Sequence, residues 1–447
     1  MNPLKRYGGL IQSGFYTAVQ KVATLLIGIL SFMLLARMLG PAGYGVWGLF
    51  MVISSIAETS RTAITRNAFI RFMHQSPDEQ KPSIQGAALA LSFFISAAMG
   101  LLFVIASYLL SFWSVTPELA ELLRWYAVII LVSSFFSSME MLLNAKLDFR
   151  GICFMYCVRQ GLFMILVSIC YVAGFHLELW MLSVMYLGAF IAGTLVGMWF
   201  AKRYIAWDFH HLRSWFPRLL NFGKYVFGTN ISSLLFRSTD NFMTFTYFGA
   251  AVSGLYNACL RISNLIDLPS QVIADIMFPR AAKYNAADSA SVKTLYEKSV
   301  GAILVFSLPA LLFVLIFPAF ILQVLAGPGF VVAVPILRVT AFFGFTLPFL
   351  KQFGMIMDAT GLPHVNFRVM LFSFLVNIVN NIVGIYLFGL IGAAIGTATT
   401  YFMSFLFSQY LLKKKFGINV SNVFVYTFHF YKELFTVVRL YPKRKQA

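Results

Sequence analysis

The stretch Leu39-Gly40-Pro41-Ala42-Gly43-Tyr44-Gly45-Val46-Trp47 ends one long apolar run, at about residues 10–36, and opens another, at about 42–66. A shift of 209 residues pairs it with Phe248-Gly249-Ala250-Ala251-Val252-Ser253-Gly254-Leu255-Tyr256. The same shift pairs Ile53-Ser54 with Ile262-Ser263, Glu58 with Asp267 and Arg71 with Arg280. One register held over such a distance predicts a duplicated architecture, two halves that share orientation and are related by an axis along the membrane normal.

Outward from these two hairpins, further apolar runs lie near 83–111, 121–144, 151–174, 179–201, 219–247, 251–277, 294–317, 331–357, 366–388 and 391–412. They have the length of bilayer-crossing helices, about 20 residues, and lack the strict alternation of barrel strands. Of the 447 residues, 60% are hydrophobic and only 11% charged, against roughly a quarter charged in soluble chains. Too little polar surface remains for a water-soluble body, so the fold class is all-α integral membrane with about 12 transmembrane helices. The longest internal connection divides the chain into a six-helix lobe at 1–201, a cytoplasmic connector at 202–218 and a second six-helix lobe at 219–415. A basic tail follows at 416–447, whose Val420–Leu440 segment reads as a helix lying in the membrane interface.

Net charge is +18, and its distribution gives the orientation. Alternate loops hold the basic residues, among them Lys146, Arg150, Lys202, Arg203, Arg213 and Arg218, while loops near 112–120, 175–178, 248–252, 318–330 and 389–390 have no Lys or Arg. The positive-inside rule places both termini in the cytoplasm. Basic residues spread over many short loops form no nucleic-acid patch. Lys5 and Arg6 precede a first spanning helix without a signal-peptide cleavage pattern. The four cysteines, Cys153, Cys157, Cys170 and Cys259, fall inside apolar runs, and no His or carboxylate stands near to make a metal site. No nucleotide-binding loop, hydrolase elbow or zinc-protease motif is present, which speaks against an enzyme and requires no cofactor.

Polar residues inside the spans carry the functional reading, because each costs several kcal/mol and normally faces a bundle interior or wet cavity. The first helix presents Ser13, Thr17, Gln20, Lys21 and Thr24 on one face; the seventh presents Asn230, Ser233, Arg237, Asp240 and Thr244. The repeat maps Lys21 to Asn230 and Thr24 to Ser233. The second helix adds Ser54, Glu58, Arg61 and Thr65, and the eighth adds Ser263, Asp267 and Ser270. These stripes predict a water-accessible central cleft between the lobes. Lys21, Arg61, Arg159, Arg237 and Arg261 are its expected anion-binding residues, since guanidinium forks fit phosphate. Glu58, Asp240 and Asp267 are candidates for ion coupling or charge balance. Glu58–Arg61 and Arg237–Asp240 can also be read as local ion pairs; Lys21, Arg159, Arg338 and Lys351 have no obvious local partner. Asn377, Asn380 and Asn381 share one face of the eleventh helix, and Gly384, Gly392 and Gly396 predict close helix approach.

Ala36-Arg37-Met38-Leu39-Gly40-Pro41-Ala42-Gly43-Tyr44-Gly45 resembles the opening signature of bacterial polysaccharide flippases of the multidrug/oligosaccharidyl-lipid/polysaccharide exporter (MOP) superfamily. Asp240, Gly249, Ser253-Gly254-Leu255-Tyr256, Pro269 and Phe278-Pro279-Arg280 resemble the family's central segment. The resemblance covers about residues 5–415. It implies a MATE-like fold of two rocking lobes in the bacterial inner membrane. It also implies movement of undecaprenyl-pyrophosphate-linked oligosaccharide repeat units to the outer leaflet, beside polysaccharide polymerase machinery. A multidrug antiporter of the same superfamily should instead show an acidic, cation-attracting site, whereas here cations outnumber acids. A peptidoglycan-precursor flippase shares the logic but has two additional helices. A membrane polymerase or glycosyltransferase would need a larger charged outer domain.

Overall fold

The computed structural model describes the backbone of residues 3–112, 117–281 and 289–440. Side chains are described from Tyr16 to Glu433 within those ranges, apart from residues 222–226, 229, 232, 233, 237, 275, 276 and 278–280. Ten of the twelve expected spans fall in unbroken helix to within two residues at their ends. The elements are α1 (Pro3–Gln75), α2 (Lys81–Phe112), α3 (Pro117–Ala145), α4 (Phe149–Val172), α5 (Leu179–Ala201), α6 (Leu212–Ile266), α7 (Leu268–Ala281), α8 (Ser289–Ile316), α9 (Pro318–Leu325), α10 (Val334–Ala341), α11 (Phe343–Ala359), α12 (Pro363–Phe416) and α13 (Val420–Leu440). Among the described residues, eight helical stretches are long and apolar enough to cross a membrane.

Three of the long helices are doubled back. α1 folds at Gly40 (φ 62°, ψ −176°), α6 at Gly249 (φ 80°, ψ −179°) and α12 at Gly389 (φ 60°, ψ −136°). This region of backbone space is closed to residues with a Cβ, and a substitution there would cost about 1–3 kcal/mol. Gly40 and Gly249 are the repeat-paired glycines, and they adopt nearly the same dihedrals. Pro41 follows the first turn with a φ already fixed for a helix start.

The chain divides into two compact units, Met1–Leu234 and Leu235–Ala447. In the first, α3 is the most enclosed helix. Its Leu122, Tyr126, Ile129 and Ile130 are fully buried. The helices around it turn large apolar side chains outward, such as Phe94, Leu101, Leu102 and Leu195, each about 60% exposed. A surface of that kind is stable only against lipid, since water would oppose its exposure. The connector after α5 is pinned to the first unit. Asp208 accepts from Ser83 Oγ (2.5 Å), Gln85 Nε2 donates to the Tyr204 carbonyl (3.2 Å), and the Ala206 N–H donates to Gln85 Oε1 (3.0 Å). Asp208 also accepts from the His210 N–H, and these bonds hold its carboxyl well below the usual carboxylate range.

In the second unit the expected span at 251–277 is interrupted at Asp267, between α6 and α7, and the one at 331–357 at Phe342, between α10 and α11. The tail helix α13 packs along α8. The Asn419 N–H and Asn422 Nδ2 donate to Glu297, Thr427 Oγ1 donates to the Gly301 carbonyl (3.2 Å), and Tyr431 Oη to the Val305 carbonyl (2.8 Å). The missing side chain at Gly301 lets the two helices meet: a Cβ there would lie 2.9 Å from Tyr426 Cβ.

Candidate functional site

The second arm of α1 carries Glu58 and Arg61 into the first unit, and α4 carries Arg159. Arg61 is 1% exposed. Its guanidinium donates to Ser96 Oγ (3.0 Å), Ser133 Oγ (2.8 Å) and the carbonyls of Ile130 (3.0 Å) and Ser133 (3.1 Å). These bonds tie α1 to α2 and α3. In this structure Arg61, expected from the sequence as an anion-binding residue, is buried and makes all four of these bonds within the chain. The local Glu58–Arg61 ion pair does not form either, and Glu58 Oε1 is buried without a hydrogen-bond partner.

Arg159 is placed differently. Its guanidinium carbon lies 4.7 Å from the Phe190 ring centroid, 4.9 Å from Phe136 and 5.0 Å from Tyr156. Three aromatic rings hold the cation by cation–π attraction, each contact worth about 0.5–2 kcal/mol depending on desolvation. The residue is half-buried, and among the described residues no carboxylate closes an ion pair with it, although Glu58 and Glu140 both act on it electrostatically. Glu140 is also held by Arg66 (3.3 Å) and by the Tyr156 hydroxyl (3.0 Å). Lys21 is exposed on the first arm of α1.

In the second unit, Asp240 is 3% exposed and has no cationic side chain bonded to it among the described residues. Thr397 Oγ1 (2.6 Å) and Asn381 Nδ2 (2.9 Å) donate to its Oδ1, and the Tyr256 hydroxyl (2.8 Å) donates to its Oδ2. Asn377 Nδ2 donates to Thr397 Oγ1 (2.9 Å), leaving Asn377 Oδ1 buried and unpartnered. Two hydroxyls and one amide N–H thus donate to one buried carboxylate. Its oxygens suit a proton or a hard cation, because a transition metal would ask for nitrogen or sulfur donors. Among the described residues no group of three or more His, Cys, Asp or Glu side chains gathers. The arms of α12 approach closely enough for this because Gly384 and Gly392 face each other, as the sequence predicted; a Cβ on Gly392 would lie 1.8 Å from the Gly384 carbonyl oxygen.

Asp267 ion-pairs with Lys351, both largely buried, so Lys351, which lacked an obvious partner in the sequence, has one 84 residues away. Arg261 is exposed on the second arm of α6. The side chain of Arg237 lies outside the described residues. Sequence reasoning missed Thr397 and Tyr256 in the Asp240 shell, and Phe136 and Phe190 around Arg159. The asparagine stripe on the eleventh helix was the signal available for the first group; the second had none, since phenylalanine is abundant throughout.

Solved structures share this architecture. A MATE family transporter of the MOP superfamily, in an inward-facing conformation, superposes with a TM-score of 0.72 at 16% identity, covering 88% of this chain and 95% of that one. The lipid II flippase MurJ, inward closed, gives 0.73 at 16% identity over 95% and 92%. The fold is that of a multi-pass MOP-superfamily transporter. Residues 34–335 match the family described as polysaccharide biosynthesis protein, and the chain belongs to that family.

Three curated relatives align. One is an uncharacterized membrane protein of Methanocaldococcus jannaschii, 26% identical over 203 residues, 44% of this chain and 39% of that protein. Another is the probable low-salt glycan biosynthesis flippase Agl15 of Haloferax volcanii, 22% identical over 184 residues, 41% of this chain and 39% of that protein. The lipopolysaccharide biosynthesis protein WzxC of Escherichia coli is 20% identical over 415 residues, covering 90% of this chain and 81% of that protein. The alignments thus span about two fifths of the first two relatives.

Proposed function

We propose that this protein flips undecaprenyl-pyrophosphate-linked oligosaccharide repeat units from the cytoplasmic to the outer leaflet of the bacterial inner membrane, by alternating access of its two lobes, 1–201 and 219–415. The observation that carries the reading is Arg159, an intramembrane guanidinium held by three rings and, among the described residues, with no carboxylate at ion-pair distance. Its donors are free to meet a pyrophosphate, whose charge would otherwise make the bilayer core prohibitive. A cationic drug would be repelled from the same place. Lys21, Arg237 and Arg261 are further cationic candidates for the cargo's phosphates in this reading, and Arg61 ties α1 to α2 and α3. Loop charge puts the N-terminus and the connector on the cytoplasmic side.

Asp240 is the coupling residue in this scheme. Its oxygen shell takes up a proton or sodium ion on one side of the cycle and releases it on the other. Glu58 and Asp267 balance charge.

The test is export in cells. Arg159→Gln, present in the membrane at the wild-type level, should make lipid-linked repeat units accumulate on the cytoplasmic face. Loss of a charge-assisted contact of about 1.5–3 kcal/mol predicts a 10- to 150-fold drop in flux. Asp240→Asn should leave the protein folded and abolish the dependence of flux on the sodium or proton gradient. Wild-type export by Arg159→Gln would remove the basis for an anionic cargo at this position.

A further inference from the structure

A second cationic cavity lies in the first unit, at the end of the helices that carries the basic loops. It encloses about 260 Å³ and is lined by Tyr16, Lys146, Asp148, Arg150, Arg203 and Tyr204, among others. Its one carboxylate is fully engaged. Asp148 Oδ1 accepts the Gly151 N–H at the start of α4 (3.2 Å), and Oδ2 accepts Arg203 (2.8 Å) and the Tyr204 hydroxyl (3.4 Å). Two charges, Lys146 and Arg150, therefore remain in the cavity wall with no carboxylate of the described residues bonded to them. Arg203 is held in place by Asp148 and by the Tyr204 ring, 4.7 Å from its guanidinium carbon.

The surroundings set the depth. Directly beside the cavity, Arg150 lies over Phe154 (5.9 Å) and Lys202 over Trp199 (5.8 Å), and Phe154 stacks on Phe200 (5.6 Å). Phe154 and Trp199 are 43% and 62% exposed, and Leu147, in a left-handed conformation (φ 57°) at the rim, is 63% exposed. Amphipathic rings under a cationic rim mark the headgroup level of a bilayer, with acyl chains below. Along α4 and α5, Ile165, Ile169 and Leu195 continue the apolar surface outward.

We propose that this cavity binds the phosphate of an anionic glycerophospholipid of the cytoplasmic leaflet, with Lys146 and Arg150 on the phosphate and the acyl chains laid along α4 and α5 past Phe154 and Trp199. The lipid bridges the α3–α4 turn, the end of α5 and the start of the connector, three segments that the Asp148 bonds also join. The cargo's pyrophosphate offers related chemistry, but the position argues for bulk lipid: the cavity opens beside outward-facing, lipid-exposed rings, apart from Arg159 and its ring cage.

Native mass spectrometry of the full chain in mild detergent tests this, with phosphatidylglycerol or phosphatidylcholine of identical chains added. The wild type should retain phosphatidylglycerol in preference. Lys146→Gln/Arg150→Gln should lower that retention about 25-fold, at about fivefold per cation, while Lys414→Gln/Lys415→Gln at the end of α12 leaves it unchanged. Should the double variant fail to fold, a photoactivatable phosphatidylglycerol on the wild-type chain should label the peptides carrying Arg150–Phe154 and Trp199–Arg203. Equal retention of the two lipids by the wild type, unaltered retention by the double variant, or labelling confined to other peptides would overturn the site. Displacement of phosphatidylglycerol by equimolar undecaprenyl pyrophosphate would assign the cavity to cargo and overturn the lipid reading.

Discussion

Gly392→Ala is a one-methyl change whose consequence can be followed from the crossing of α12 to the Asp240 shell. The new Cβ would start 1.8 Å from the Gly384 carbonyl oxygen, where ordinary contact begins at 3.4 Å, so the two arms must part by about 1.6 Å. The bonds from Asn377 and Asn381 to Thr397, 2.9 and 3.1 Å long, cross the same interface. Opened by that amount they exceed about 4.5 Å, beyond any hydrogen bond. Overpacking of about 1–3 kcal/mol and two lost bonds of about 1 kcal/mol each give a destabilisation of about 3–5 kcal/mol. For a unit of this size that corresponds to a melting point lower by about 6–20 °C. Thermal denaturation of the detergent-solubilised protein, followed by fluorescence-detected size exclusion, reads it directly. Gly188→Ala is the control, because a Cβ there meets nothing within 4 Å. A Gly392→Ala melting point within about 2 °C of wild type would refute the close crossing, and with it the packing account of the Asp240 shell.

Gly40→Ala and Gly249→Ala should each destabilise by about 1–3 kcal/mol through backbone strain alone, with similar shifts in melting point for the two because their dihedrals match; a neutral effect at either would break the equivalence. Asp208, whose folded carboxyl titrates below its unfolded value, contributes to connector docking above the ordinary carboxylate range, near pH 4, and loses that contribution only as pH falls through its depressed value. Hydrogen exchange should therefore find residues 204–210 equally protected at pH 7 and pH 5 in the wild type and unprotected at both in Asp208→Ala; melting of the segment already at pH 5 would contradict the bonding described. Glu297→Leu removes the acceptor for Asn419 and Asn422 and should release the start of α13 at about 1.5–3 kcal/mol per lost charged bond, seen as faster tryptic cleavage at Lys432. Unchanged cleavage would mean that α13 is held by its apolar face alone.

The helices were legible because a bilayer imposes its thickness on the sequence: spans of fixed length and alternating basic loops need no tertiary information. The repeat was legible at Gly40 and Gly249 because backbone geometry there admits one residue type. The interruptions at Asp267 and Phe342 were not, since an apolar run looks continuous whether or not its hydrogen-bond ladder is. Pairings were the least visible. Lys351 and Asp267 stand 84 residues apart, and nothing local announces the bond. Arg61 was expected at the cargo because an intramembrane arginine is costly; its serine and carbonyl partners lie on α2 and α3, and no periodicity links them to it. Arg159 and Arg61 read alike in the sequence, and only packing distinguishes the one caged by rings from the one engaged by hydroxyls.

The hairpin bends at Gly40 and Gly249 leave almost no chain between a descending and an ascending arm. Each pair of arms is therefore joined through one residue, and the angle at which the two arms meet is set by backbone dihedrals that a side chain at that residue would strain.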